Sequence, residues 1–268
     1  MPLRSWFEKP AEIYMGTERV EQTSVNGVSL NYLVIGTGPA LYLLHGGMES
    51  RESFAQQIPA FAEHFTVVAL DSREQGRSGP STEQITYDLM VDDVLALAQH
   101  LGHQTFSVVG SSDGGITGLM IAMNHPDRIE SLVLLGASFN LEAYTDEMLT
   151  FLKQYEWDGD TDPNNYPGVM IEHYLAGHDN LDGFGELLKK MSLMWTTTPN
   201  YLKRDLAKVQ TNTLVVNGDR GDVRLEHALD LYRGIPNAQL FVVPGGTHYS
   251  LQTHPEVINR AVLAFLGR

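Results

Sequence analysis

The run Val108-Val109-Gly110-Ser111-Ser112-Asp113-Gly114-Gly115 decides how this chain of 268 residues is read. It lies between an apolar segment of strand character and an amphipathic segment of helical period, and it matches Gly-x-Ser-x-Gly with Ser112 at the centre. A sharp strand-to-helix turn crowds the backbone on both flanks. Gly110 and Gly114 tolerate that crowding, and the turn lifts the serine oxygen above the sheet edge. The helix start beneath favours developing negative charge. Ser112 is therefore the candidate nucleophile. Neither Gly-x-x-x-x-Gly-Lys nor Gly-x-Gly-x-x-Gly occurs there, which argues against a phosphate cradle.

Outward from this turn, short continuous apolar runs recur: Ala40 to Leu44, Phe65 to Leu70, Phe106 to Val109, Leu132 to Leu135, Thr213 to Val216 and Leu240 to Val243. Such runs suit strands buried on both faces, hence a mostly parallel sheet. Glu21 to Ile35 instead alternates around Asn26-Gly27 and predicts an antiparallel hairpin. Helical periods fall between the runs. One carries Tyr87, Val91, Val94, Ala98 and Leu101 behind a Thr86 cap, one starts at Gly114 and stops before Pro126, and one starts at Pro255. Strands alternating with helices imply an α/β architecture with helices flanking a central sheet. From Phe139 to about Lys208 no strand-like run appears, so the expected organisation is a core over 1–138 and 209–268 with a helical cap inserted at 139–208. That insertion holds Tyr155, Trp157, Tyr166, Tyr174, Phe184, Met191, Met194 and Trp195. They suit an apolar substrate pocket, with Trp195 a candidate contact, and they suit packing of the cap on the body equally well.

A serine nucleophile needs a base and an anion site. Of ten histidines, His248 follows the last strand in Pro244-Gly245-Gly246-Thr247-His248, where a loop reaches back toward Ser112. His45 opens His45-Gly46-Gly47-Met48 after the first parallel strand and reads as a hydrogen-bonded structural residue. Gly47, or else Met48, is the expected backbone donor to a reacting carbonyl oxygen, with the N–H of Asp113 as its partner; each donor is worth about 2.7–4 kcal/mol in the transition state.

Taken together, the hairpin, His45-Gly46-Gly47, the loop Asp71-Ser72-Arg73-Glu74-Gln75-Gly76-Arg77-Ser78, the serine turn, the insertion and the late His248 resemble the α/β-hydrolase family over nearly the whole chain. Ser112-Asp113-Gly114-Gly115-Ile116-Thr117 is similar to its biphenyl-hydrolase-like, or valacyclovir-hydrolase, branch. The resemblance implies the chain order nucleophile, acid, histidine and an oxyanion hole built by the two loops named above. In the branch it also implies a carboxylate at Asp113 that meets the amino group of aminoacyl esters; the plainer reading leaves that side chain a local hydrogen-bond partner. Two departures stand out. Glu74 occupies a position that is usually glycine, where a local backbone adjustment is expected. In Asn217-Gly218-Asp219-Arg220-Gly221-Asp222 the usual second aspartate of Gly-Asp-x-Asp is Gly221, so the acid is Asp222, Asp219 or missing.

Composition narrows the alternatives. Eighteen Lys and Arg against 33 Asp and Glu leave a net charge of −15, which disfavours nucleic acid and anionic membrane surfaces. The absence of cysteine removes thiol catalysis and Cys-ligated zinc. Asp158-Gly159-Asp160-Thr161-Asp162 resembles the start of a calcium loop, but Pro163 and Val169 occupy its glycine and glutamate positions, so a solvated acidic loop is expected. His173 and His178 lack helical zinc spacing, and no metal or other cofactor is expected. No apolar stretch of membrane-spanning length or signal-peptide core is evident, which makes a cytoplasmic protein the expectation. The sequence thus predicts a serine esterase or related acyl hydrolase acting on a small-molecule ester. Its rivals are a lactonase, carbon–carbon bond hydrolase or lyase on the same residues, or a ligand-binding protein with a decayed triad. Oligomeric state is not legible.

Overall fold

A computed structural model describes residues 18–154 and 168–268. The first seventeen residues, Tyr155, Trp157, Tyr166 and the acidic run at 158–162 lie outside the described residues.

The first half of the chain runs β1 (Arg19–Val25), β2 (Val28–Ile35), β3 (Ala40–Leu44), α1 (Ile58–Ala62), β4 (Thr66–Leu70), α2 (Tyr87–His100), β5 (Phe106–Ser111), α3 (Asp113–Asn124) and β6 (Ile129–Leu135). Between β6 and β7 come α4 (Asp146–Gln154), α5 (Gly168–Leu175) and α6 (Phe184–Thr197). The chain closes with β7 (Asn212–Gly218), α7 (Leu225–Gly234), β8 (Ala238–Val243), α8 (Ser250–Thr253) and α9 (Pro255–Phe265).

The eight strands form one sheet in the order β1-β2-β4-β3-β5-β6-β7-β8. β1, β2 and β4 pair antiparallel, and every pairing from β4 through β3 to β8 is parallel. The hairpin closes through Asn26 and Gly27, both at positive φ (44° and 74°), as a two-residue turn between right-twisting strands requires.

Alternate side chains of each inner strand enter opposite layers. Tyr42, Leu44, Val108, Leu132 and Leu134 join the core beneath α2 and α3. Leu41, Leu43, Val109, Val133, Leu214 and Val216 join the core beneath α1 and α9. Burial on both faces is the physical reason that the sequence reads as unbroken apolar runs, each buried large side chain contributing about 1.5–3 kcal/mol. Thr86 caps α2 by accepting the Leu89 N–H (3.2 Å), and Gly102 past its end adopts φ 77°.

Between β3 and β5 the chain switches sides of the sheet, since β4 pairs with one edge of β3 and β5 with the other. Loops leaving neighbouring strands at such a point diverge and open a crevice. No helix among the described residues is long and apolar enough to cross a membrane.

The segment after β6 is tied to α7 by His227. Its Nε2 accepts the Phe139 N–H (3.1 Å), and its ring stacks on Phe139 with centroids 4.0 Å apart. Burial pushes its pKa down from 6.5 to about 4. In this case the unfolded chain takes up the proton first, so the stability His227 confers is complete above pH 6.5 and drains away as pH falls toward 4. The loss across that window is expected to approach about 3 kcal/mol. His227→Gln, which keeps an acceptor, is expected to flatten the pH dependence of urea unfolding between pH 6.5 and 4; an unchanged slope would refute this assignment.

Candidate active site

Ser112 occupies the turn between β5 and α3 at φ 50° and ψ −116°, a backbone conformation that is costly for a residue with a Cβ. Its N–H donates to the Leu135 carbonyl (2.8 Å), and its own carbonyl accepts the Ile116 N–H (2.9 Å). The flanking glycines are obligatory. A Cβ on Gly110 would strike the Gly114 carbonyl, and one on Gly114 would strike the Leu44 carbonyl at the end of β3.

Of the expected backbone donors, Asp113 follows the serine and Gly47 shares a cavity with it. Asp113 is the first residue of α3, so its N–H has no acceptor within the helix. Of the pair Gly47 and Met48, the Met48 N–H is consumed by the Gln75 side-chain oxygen (2.7 Å), and Met48 does not border the cavity described below. Gly47 does. The expectation that Met48 is an alternative donor is thus corrected, because Gln75 already occupies that N–H. His45 is fully buried. One ring nitrogen hydrogen-bonds to the Gly46 carbonyl (2.6 Å) and the other accepts the Ser72 N–H (2.9 Å), so it braces the loop.

Ser112, Asp113, Gly47, His248, Asp222 and Trp195 all border one cavity of about 160 Å³. His248 Nδ1 lies 4.0 Å from Asp222 Oδ2 and makes no hydrogen bond among the described residues. Asp219 is elsewhere occupied: its Oδ1 accepts the Gly245 N–H (2.7 Å), and it is absent from the cavity wall. Of the two aspartates left open by the sequence, Asp222 is the one beside the imidazole. A second hollow of about 10 Å³, bordered by Gly136, Gly218, Gly221 and Val223, adjoins the same imidazole.

Asp113 is 2% exposed. Its Oδ1 accepts the Tyr87 hydroxyl (2.7 Å) and its Oδ2 the Trp195 indole N–H (2.7 Å). Burial raises its pKa, while these two donors and the nearby His248 pull the other way. The side chain therefore anchors Trp195, from α6, to the turn that carries Ser112.

Several wall residues escaped sequence reasoning. Glu49 is buried, and its Oε2 accepts the Ser53 hydroxyl (2.6 Å) and the Gly46 N–H (3.2 Å). A Cβ on Gly46 would sit 3.2 Å from both the Glu49 carboxyl carbon and Ser112 Cβ. Tyr144 and Tyr249 also border the cavity. Burial raises both phenol pKa values, that of Tyr144 to about 12, with Asp222 adding to the effect. The signal for Glu49 was adjacency to His45-Gly46-Gly47; nothing in the sequence marked the two tyrosines. Met148, Phe151, Leu152 and Met170 complete an apolar flank. Among the described residues, no three His, Cys, Asp or Glu side chains are grouped to hold a metal ion.

This arrangement is suited to attack by a serine oxygen on a bound carbonyl, with an imidazole to carry the proton and two N–H groups for the oxygen charge. Proteins of similar sequence and fold are hydrolases. The family described as alpha/beta hydrolase fold matches residues 39–168. The 2-hydroxy-6-oxo-6-(2'-aminophenyl)hexa-2,4-dienoic acid hydrolase of Metapseudomonas resinovorans is 26% identical over 91% of this chain and 90% of its own. The serine hydrolase BPHL of Mus musculus is 28% identical over 91% of this chain and 85% of its own. The crystal structure of a meta-cleavage product hydrolase from Pseudomonas fluorescens superposes with a TM-score of 0.80 at 22% identity, covering 92% of this chain and 97% of that one.

Trp195→Phe removes the donor to a buried carboxylate and is expected to destabilise the fold by about 1–3 kcal/mol. Urea unfolding measures this, and a loss below 0.5 kcal/mol, roughly the size of an ordinary surface change, would deny the anchoring role.

Proposed function

The chain belongs to the α/β-hydrolase family and is a hydrolase, and from that premise we propose that it is a serine esterase acting through an acyl-enzyme on Ser112. Ser112 attacks the ester carbonyl while His248 takes the hydroxyl proton. The oxygen charge is met by the Gly47 and Asp113 N–H groups. His248 then returns the proton to the leaving alcohol and activates the water that releases the acid. Asp222 orients His248; its 4.0 Å separation is the kind of gap that closes when substrate is bound. The observation that carries the reading is the meeting of Ser112, His248 and Asp222 on the wall of one cavity.

The same wall supports an ester over a substrate that carries a carboxylate. It includes Glu49, Asp113 and Asp222 and, among the described residues, no Lys or Arg. A substrate bearing its own carboxylate, as the name of the Metapseudomonas relative indicates for that protein, would find no counter-charge here. A neutral acyl group finds Met148, Phe151, Leu152 and Met170, and an aminoacyl group would meet the carboxylates favourably. The substrate is thus a small neutral or ammonium-bearing ester, and the chemistry needs no cofactor. We further propose that the stretch at 139–208 acts as the cap over this site and that the protein works in the cytoplasm.

A fluorophosphonate is expected to label Ser112 and to leave Ser112→Ala unlabelled; an unlabelled wild type would overturn the proposal. In an isosteric ester panel ending in methyl, ammonium or carboxylate, the carboxylate ester is expected to fall at least about tenfold below the methyl ester in kcat/KM. Asp222→Asn is expected to lower kcat by about 10³–10⁴-fold and Asp219→Asn by less than about tenfold. The reverse ranking would move the acid role to Asp219.

A further inference from the structure

Glu74 stands where a glycine is usual and holds φ 62°, a left-handed backbone conformation that a side chain opposes unless something offsets the strain. Its carboxylate shows what does so. Both oxygens accept from the Lys190 ammonium on α6, at 2.9 and 2.8 Å. That ammonium also donates to the Ser81 carbonyl (2.7 Å), and the Gln84 amide donates to the Lys190 carbonyl (2.8 Å). One residue of α6 is therefore gripped at four points by the loop between β4 and α2.

The gripping loop is itself fixed from below. Arg73 makes a buried two-pronged pair with Asp93 of α2 (2.7 and 2.8 Å). Asp71 accepts the Arg51 and Arg77 N–H groups (2.8 and 3.0 Å), and Gln75 holds the Met48 N–H. On the other side, α6 presses on the site. A Cβ on Gly47 would strike Trp195 and lie 2.9 Å from Met191 Cε. The Ser192 hydroxyl donates to the Leu152 carbonyl of α4 (3.2 Å), and α4 supplies Met148, Phe151 and Leu152 to the apolar flank.

We propose that Glu74 and Lys190 form a clamp that fixes α6 against the oxyanion loop and so sets the acyl-chain length the cavity accepts. They are positioning residues, acting through Met191, Trp195 and α4. This inference rests on the serine-esterase reading. Weakening the clamp lets α6 and α4 withdraw, and the apolar flank lengthens while the reacting groups stay on β5, α3 and the loop after β8.

The test compares Glu74→Gly, Lys190→Met, the double variant and Lys190→Arg with wild type. Glycine is at ease at this φ, so Glu74→Gly stays folded even if Lys190→Met does not. Labelling rates are read with ethyl and decyl fluorophosphonates, alongside kcat and KM for acetate and decanoate esters. Each single variant is expected to raise the decyl-to-ethyl rate ratio about tenfold, through a lower KM for the long ester. The double variant is expected to match Lys190→Met, because that substitution already removes both bonds to Glu74 along with the one to Ser81, and Lys190→Arg to remain within about threefold of wild type, since it keeps the charge. If wild type is labelled but the ratio is unchanged in Glu74→Gly and Lys190→Met, or if their effects multiply in the double variant, the clamp is refuted and the esterase reading stands. If wild type is labelled by neither probe and cleaves neither ester, both fall.

Discussion

A single backbone constraint organises this molecule: Ser112 must hold a left-handed conformation at the junction of β5 and α3. The turn survives because the carbonyls around it come closer than any side chain at Gly110 or Gly114 would permit. That closeness seats the start of α3 against the end of β3, and Gly47, Ser112 and Asp113 all border the same cavity. The position of the serine is thus fixed by packing, before any substrate arrives.

Much of this was legible in the residues, for reasons specific to each part. The parallel strands announced themselves because both faces are buried, and Asn26-Gly27 because few other pairs accept two positive φ angles. Ser112 and His248 were singled out from their places after strands, and both border the cavity. The choice between Gly47 and Met48 was not legible, since it turns on Gln75, which reaches its acceptor from a different loop. Asp222 and Asp219 could not be separated either. Both flank Gly221 at similar range in sequence, and only the path of the loop ties Asp219 to Gly245 while Asp222 meets the imidazole. The branch resemblance pointed to the Asp113 side chain as an amine site; Tyr87 and Trp195 already use both of its oxygens, a pairing between residues 26 and 82 positions away.

The helical segment between β6 and β7 meets the body through polar side chains as well as apolar ones. Besides Lys190 and Trp195, His173 of α5 hydrogen-bonds with the Ser50 hydroxyl (2.7 Å), and burial lowers its pKa. Directional bonds of this kind fix where a layer sits, whereas apolar contact alone tolerates sliding. For a site whose wall is partly contributed by that layer, registry matters as much as cohesion.

The small hollow against His248 leaves slack in the loop that carries Asp222. Gly221 has room for a side chain, its nearest neighbour being the Gly218 carbonyl at 3.4 Å from a built Cβ, and that residue borders the hollow beside the imidazole. A small side chain at position 221 would therefore meet only ordinary contacts, on the loop whose next residue, Asp222, faces the imidazole.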